Sequence, residues 1–214
     1  MYYKQLCLAC IHQLKAYHSQ VLHQIDSVLP FMETLLKTTH RRKVFEEDLE
    51  THLRTRNARI AIPLHFAVHG LLAHLHEEGL FRVGPSLVSL RRAKTALDAN
   101  VPMKEMLQQF CDPHIYTGVI KAYLREMRDP LLCSNLSDLW VRADGVKDKE
   151  EQRKQLTEVV ARLPTANRDN LGFLLQFLSR LVGESEHNLM TADNIAIVIA
   201  PNLLWGTTTT TYGF

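Results

Sequence analysis

The repeat carried by residues 1 to 37 is what most limits the folds open to this chain. Cys7, Ile11, Leu14, His18, Val21, Ile25, Val28, Met32 and Leu35 recur four and three residues apart, the seam of a bundled or coiled helix. Leu22, Leu29 and Leu36 widen the stripe beyond what one helix can cover. The segment therefore needs partner surface, from the following domain or from helices outside this chain. Pro30 removes one backbone donor from the run, so the pattern is expected to be interrupted and the helix kinked there.

The polar, basic stretch from Thr38 to Lys43 reads as a linker, and with it the organisation is 1–37 amphipathic helix, 38–43 basic linker, 44–205 folded domain and 206–214 tail. Beyond the linker the helical period continues. Helices are expected over Val44–Leu53, Pro63–His76 (closed by Gly79), Leu87–Asp98, Met103–Gln109 and Ile115–Met127, then Leu136–Arg142, Glu150–Arg162, Arg168–Glu184 and Thr191–Ile199. Period-two β-branched runs occur only as fragments too short to pair, so the fold class is all-α. The tail Gly206–Phe214 is a threonine-rich, low-complexity run, expected to be frayed or to mark a truncation.

Charge narrows the partners. The 25 basic and 23 acidic side chains leave a net charge of +2, too balanced for a protein held on nucleic acid by counterion release. Four cysteines in apolar surroundings point to a reducing compartment rather than a disulfide framework, and the expected location is cytoplasmic, with peripheral placement at membranes or the cell cortex as a variant. No apolar run reaches the roughly 20 residues of a membrane span.

The backbone signatures of phosphate-cradling loops and of a serine-hydrolase elbow are missing from the sequence, which leaves self-contained hydrolysis unsupported. Cys7 and Cys10 have the spacing of half a zinc or redox site, but no second pair follows, and helix packing is the preferred reading. His65 and His69 lie one turn apart with His74 and His76 beyond; without a carboxylate at ligand spacing they read as solvated or capping side chains, and no metal site is expected.

The chemistry the chain offers is cationic. Glu78-Gly-Leu-Phe-Arg-Val-Gly84 sets one arginine, Arg82, in a loop bounded by Gly79 and Gly84 and anchored by Leu80 and Phe81. Residues 80 to 128 hold eight basic against four acidic side chains, the composition of a face turned to an anionic partner or of a solvated helix surface. Lys121 and Arg125 stand one turn apart on the Ile115–Met127 helix and share a face, while Ile120, Tyr123 and Leu124 turn inward. Arg125 reads either as a bracing residue or as a direct contact. Asn194-Ile-Ala-Ile-Val-Ile-Ala-Pro-Asn-Leu-Leu204 reads as a buried helix end stopped by Pro201, after which Asn202 caps the break or offers its amide to a partner.

Taken together these segments resemble the RhoGAP domain family. Glu78–Gly84 is similar to its arginine-finger loop, Lys121–Leu131 to its Lys-x-x-x-Arg-Glu helix, and Asn194–Leu204 to its Asn-x-Ala-x-x-x-x-Pro-Asn-Leu-Leu motif. Asp112-Pro-His114, Leu163-Pro164 and Asn188-Leu-Met-Thr191 also look like family stretches, so the resemblance covers Val44 to Trp205. Pro130–Leu136 and Trp140 resemble the Rich/Nadrin type, in which a BAR domain precedes the RhoGAP domain; residues 1 to 37 then resemble the last BAR helix.

The resemblance implies an activator in trans, not an enzyme with its own site. The partner is a Rho-family GTPase of the Rac, Rho or Cdc type, bound to GTP. Arg82 would neutralise charge on the transferring phosphoryl group, Lys121 would touch the switch region, Arg125 would brace the finger loop, and Asn202 would bond the partner near the finger. The chain would need no cofactor of its own, since GTP and magnesium belong to the GTPase. Two departures stand out. Met127-Arg-Asp-Pro130 replaces Leu-Pro-x-Pro, which predicts a looser helix exit, and the family's domain normally continues past the last motif, which predicts an incomplete domain here. The alternatives are a GTPase-binding scaffold without activity, or a module whose Lys37, Arg41, Arg42 and Lys43 meet an anionic membrane, with homodimerisation in a longer protein.

Overall fold

The computed structural model describes residues 2–38 and 44–205, with side chains described for 11–30 and 44–205. The chain divides into two compact units, Met1–Arg41 and Arg42–Phe214. All regular structure among the described residues is helical, as the all-α reading requires. Residues 39–43, the 206–214 tail and the side chains of Cys7 and Cys10 lie outside the described residues.

The first unit is one helix, α1 (Tyr2–Thr38), which runs unbroken through Pro30 in place of the expected interruption. Proline in a helix interior costs about 3 kcal/mol, but turns on both sides of it keep their own bonds. Within this helix Ile11, Leu14, Leu22, Ile25, Val28 and Leu29 are exposed. Among the described residues no helix is long and apolar enough to cross a membrane.

The second unit comprises α2 (Leu49–Arg56), α3 (Ile62–Leu71), α4 (Leu87–Asp98), α5 (Met103–Gln109), α6 (Pro113–Glu126), a 3₁₀ turn Ser134–Leu136, α7 (Ser137–Asp144), α8 (Lys149–Arg162), α9 (Thr165–Gly183), α10 (Ser185–Asn188) and α11 (Ala192–Leu203). The central element is α6, which packs on α3, α4 and α11. Its buried positions, Ile115 to Ile120 together with Tyr123 and Leu124, run most of the way round the helix, as they must when three neighbours surround it. Glycines allow close approaches here: a Cβ at Gly70 of α3 would stand 2.4 Å from the Tyr116 ring of α6, and one at Gly118 2.5 Å from Pro85 Cγ in the turn before α4.

Several boundaries move for identifiable reasons. Val44 to Glu47 form turns, and α2 starts only at Leu49 because the Asp48 carboxylate accepts the Thr51 N–H as an N-cap. In α3, Pro63 occupies the first turn, and the helix closes at Leu71 instead of His76. The Leu75 carbonyl beyond it is claimed by the Asn188 side-chain amide at 2.8 Å. Asp112 caps α6 through the His114 N–H, so that helix opens on Pro113.

The expected stop at Pro201 is not made. Helix α11 continues through it to Leu203, and the carbonyl left without a donor belongs to Ile197, a residue 72% exposed. The end is then held from outside, by Leu132 N–H to Leu203 O at 3.1 Å and by Trp205 Nε1–H to Leu124 O at 2.8 Å. The loose exit expected after α6 is also absent. Met127 is buried, Arg128 Nε–H donates to Glu46 O at 2.9 Å, and Asp129 accepts from Ser134. Side-chain bonds here replace the restraint of the missing proline.

Buried polar side chains fasten the remaining loops. Asn170, fully buried in α9, accepts the Ala61 N–H at 2.8 Å and donates to Arg59 O at 3.1 Å and Ala166 O at 2.8 Å. His52, also fully buried, accepts the Ile62 N–H at Nε2.

Candidate functional site

The Glu78–Gly84 loop is built from three anchors. Gly79 adopts φ +75°, a conformation that favours glycine, and its N–H donates to Asn188 O at 3.2 Å. The Gly79 carbonyl accepts both the Arg82 N–H (3.0 Å) and the Val83 N–H (2.9 Å), closing a tight turn. Phe81 also lies at positive φ, +65°, which costs a non-glycine residue about 1 to 2 kcal/mol. Its ring is buried and meets Phe177 of α9 at 6.4 Å between centroids, and that burial outweighs the backbone strain.

Lys121 of α6 supplies the third anchor. Its Nζ donates to Phe81 O at 2.8 Å, on the peptide that joins Phe81 to Arg82. Half-buried there, the amine has its pKa lowered by desolvation. Arg82 is the residue this framework presents. Its side chain is 63% exposed and pairs with Glu78, with Nη2 3.5 Å from Oε1. An exposed pair of that length contributes at most about 1 kcal/mol, so the guanidinium can leave it for a stronger anion.

The remaining predicted residues are distributed differently from the expectation. Arg125 does not reach the loop: its Nη1 donates to Pro201 O at 3.2 Å, linking α6 to α11. The contact to the arginine loop is made instead by Lys121, through the Phe81 carbonyl. Asn202 is buried inside α11 and its Nδ2 donates to Val198 O at 2.8 Å, so the residue lies within the helix and does not cap a break at Pro201. Gly84 does not require glycine, because its φ is not positive and a Cβ would meet nothing within 4 Å. Gly79 and Phe81 are the anchors of the loop.

The residue that pattern reading overlooked is Asn188. Fully buried, it donates to Leu75 O and Leu181 O, each at 2.8 Å, and accepts the Met190 N–H at 2.8 Å, while its own carbonyl takes Gly79 N–H. One residue, through its main-chain carbonyl and its side chain together, thereby ties the start of the arginine loop to α9 and α10. The signal lies in Asn188-Leu189, with Leu189 at φ 60°, an Asx-type turn that a helical period cannot register. The histidines of α3 behave as expected: His65 and His69 stack at 6.2 Å.

Comparison with known proteins places this geometry. The family model of the RhoGAP domain matches residues 69–208, which include the arginine loop, α6 and α11. Human Rho GTPase-activating protein 44 is 37% identical over 190 residues, covering 88% of this chain and 23% of that protein. Human Bargin is 38% identical over 200 residues, covering 88% and 29%. The chain thus spans about a quarter of the length of the curated relatives it matches. Because 88% of it exceeds the residues that follow α1, the similarity reaches back into that helix. Among solved structures, human Rho GTPase activating protein 15 superposes with a TM-score of 0.74 at 22% identity, covering 84% of this chain and 86% of the other. The BH domain from GRAF, the GTPase regulator associated with focal adhesion kinase, gives 0.61 at 23%, covering 69% and 80%. Those two share the fold; the family model over residues 69–208 and the 37% identity over 88% of the chain show that this chain belongs to the RhoGAP family.

Proposed function

We propose that the chain accelerates GTP hydrolysis on Rho-family GTPases in trans, with Arg82 as the arginine finger. The observation that carries this reading is the Lys121 Nζ to Phe81 O bond at 2.8 Å. It fixes a doubly left-handed loop so that the next residue, an exposed arginine, has a rigid base and a head held only by the weak, exposed pair with Glu78. A phosphoryl group in transfer carries charge on three equatorial oxygens, and a planar guanidinium with a forked set of donors fits that charge. The GTPase supplies the nucleotide, the magnesium and the residue that orients water; Arg82 supplies the missing positive charge and helps exclude solvent.

The names of the Rho GTPase-activating relatives support the class of partner, and the second unit also exposes Arg91, Arg92, Arg125 and Arg128. The membrane and homodimer readings of α1 are proposals of the same kind, resting on the exposed apolar side chains of that helix and its resemblance to the last BAR helix, and the cytoplasmic location is one that rests on the few cysteines.

The test is single-turnover GTP hydrolysis by Rac-, Rho- and Cdc-type GTPases with the chain, with Arg82→Ala and with neither. Finger arginines are worth about 10³ to 10⁵ in rate, the range measured for Ras and its activator. A loss of that order with complex formation retained is the expected result. Equal acceleration by the variant would overturn the role of Arg82, and no acceleration by the folded parent would overturn the activity.

A further inference from the structure

We propose that His76, Glu184 and His187 form a zinc-class divalent metal site that clips the start of the arginine loop to the end of α9. His76 Nδ1 lies 3.4 Å and His187 Nδ1 3.7 Å from the same oxygen, Glu184 Oε2. The ligand atoms of all three residues fall within 4.8 Å of one another. Tetrahedral zinc with bonds of about 2.0 to 2.2 Å spaces its ligand atoms about 3.3 to 3.6 Å apart, so two of the edges are already close to the required length. The third closes by a rotation of exposed side chains. Two imidazoles and one carboxylate suit zinc in donor type, and three protein ligands leave its fourth position to water.

The backbone prepares this convergence. Glu184 and His187 stand three residues apart on one turn, where His187 N–H donates to Glu184 O at 2.9 Å. His76 comes from a separate segment, clamped on both sides by Asn188: its side chain holds Leu75 O at 2.8 Å, and its carbonyl holds Gly79 N–H at 3.2 Å. The rings of His76 and His187 meet edge to face at 4.9 Å. A simple surface hydrogen bond would engage one imidazole and contribute little. Here both imidazoles turn Nδ1 to one oxygen, an arrangement that a shared cation satisfies and that spacing along the chain could not show. A metal bound here stabilises only the closed segment, so Leu75–Gly79 becomes more rigid ahead of Arg82. The site stands independently of the activator reading.

The experiment titrates the full chain with Zn²⁺ against a chromophoric zinc chelator, alongside His76→Gln, Glu184→Gln and His187→Gln. Both histidines are more than 60% exposed, so the variants keep the fold, and unchanged melting without zinc verifies it. The parent is expected to bind one more Zn²⁺ than each variant, or to bind it at least about 10- to 100-fold more tightly, the loss that removal of even an outer-shell partner causes. Zinc is also expected to slow hydrogen exchange at the Gly79 amide in the parent and not in His187→Gln. Zinc uptake by the three variants equal to that of the parent, or Gly79 exchange indifferent to zinc, overturns the proposal.

Discussion

Arg82 takes its position from the residue before it. Phe81 is held at φ 65° by a buried ring on one side and by Lys121 on its carbonyl, so the direction in which Arg82 leaves the loop is set by α6 and α9. Removing the amine of Lys121 leaves that carbonyl without its charged donor, a loss of about 1.5 to 3 kcal/mol at full burial and less at this half-buried site. Lys121→Met is therefore expected to lower stability by about 1 kcal/mol and to reduce single-turnover activation about tenfold, with Arg82 still in place. Activation equal to that of the parent would show that the loop keeps its geometry unaided. A second residue gives the fold a pH dependence. Burial holds the His52 pKa at about 4, below its ordinary 6.5, with the nearby Arg56 charge acting in the same direction. The contact of Nδ1 with Glu47 Oε2 at 3.6 Å does not reverse this, because Arg56 Nη1 already engages that oxygen at 2.9 Å and Nε2 must keep its lone pair for Ile62 N–H. Between pH 6.5 and 4 the unfolded chain binds a proton that the folded chain refuses. Stability from this group is therefore complete above 6.5 and falls as the pH drops toward 4. Chemical denaturation at pH 7 and pH 5 should show a loss of about 2 kcal/mol that His52→Gln does not share.

Elements are where pattern reading succeeded and where it stopped. The bounds of α4 and α5 coincide with those the sequence predicts, with Ser86 and Pro102 at their N-cap positions. Helix α2 starts at Leu49 rather than Val44 and α6 at Pro113 rather than Ile115, since a single carboxylate, Asp48 or Asp112, sets each one. Helix α11 ran past Pro201 because its end is fixed by Leu132 and Trp205 from elsewhere in the chain, a tertiary constraint with no local trace. The same limit applies to the site. A lone arginine between glycines marks the loop, yet which cation braces it depends on how α6 lies against α9 and α11, and Lys121 and Arg125 are indistinguishable by spacing. Asn188 is the extreme case, invisible as periodicity and decisive as a junction between α9, α10 and the arginine loop. Asn188→Ala strands two carbonyls and an N–H in a buried place, each costing about 1 to 3 kcal/mol. The expected result is a loss of at least about 3 kcal/mol in denaturant unfolding, and faster hydrogen exchange at Gly79. Exchange at Gly79 unchanged in a folded variant would remove Asn188 from the account of the loop.

At the scale of the whole molecule, the two units divide the work. Every residue assigned to activation, Arg82, Lys121 and the Arg125–Pro201 link, lies in the second unit. That unit also has a continuous core, from Val44 and Phe45 through Leu124 and Leu174 to Ile199. A chain beginning at Arg42 is thus expected to fold, to unfold in one cooperative transition and to activate its GTPase as fast as the full chain. Helix α1 is in the opposite position. With Ile11, Leu14, Leu22, Ile25, Val28 and Leu29 exposed, it carries apolar surface whose burial is worth about 25 cal/mol per Å². An amphipathic helix with such a face is drawn to another helix or to the boundary of a bilayer. The comparison that separates the two units is sedimentation with anionic liposomes, run beside the hydrolysis assay on both chains. Lipid binding lost on deletion while activation stays whole assigns membrane contact to α1 and catalysis to the helical domain. Liposome binding retained by the shorter chain would move the membrane surface onto the basic face around Arg82, where lipid and GTPase would compete. Activation lost from a demonstrably folded shorter chain would mean that α1 is part of the activating unit after all.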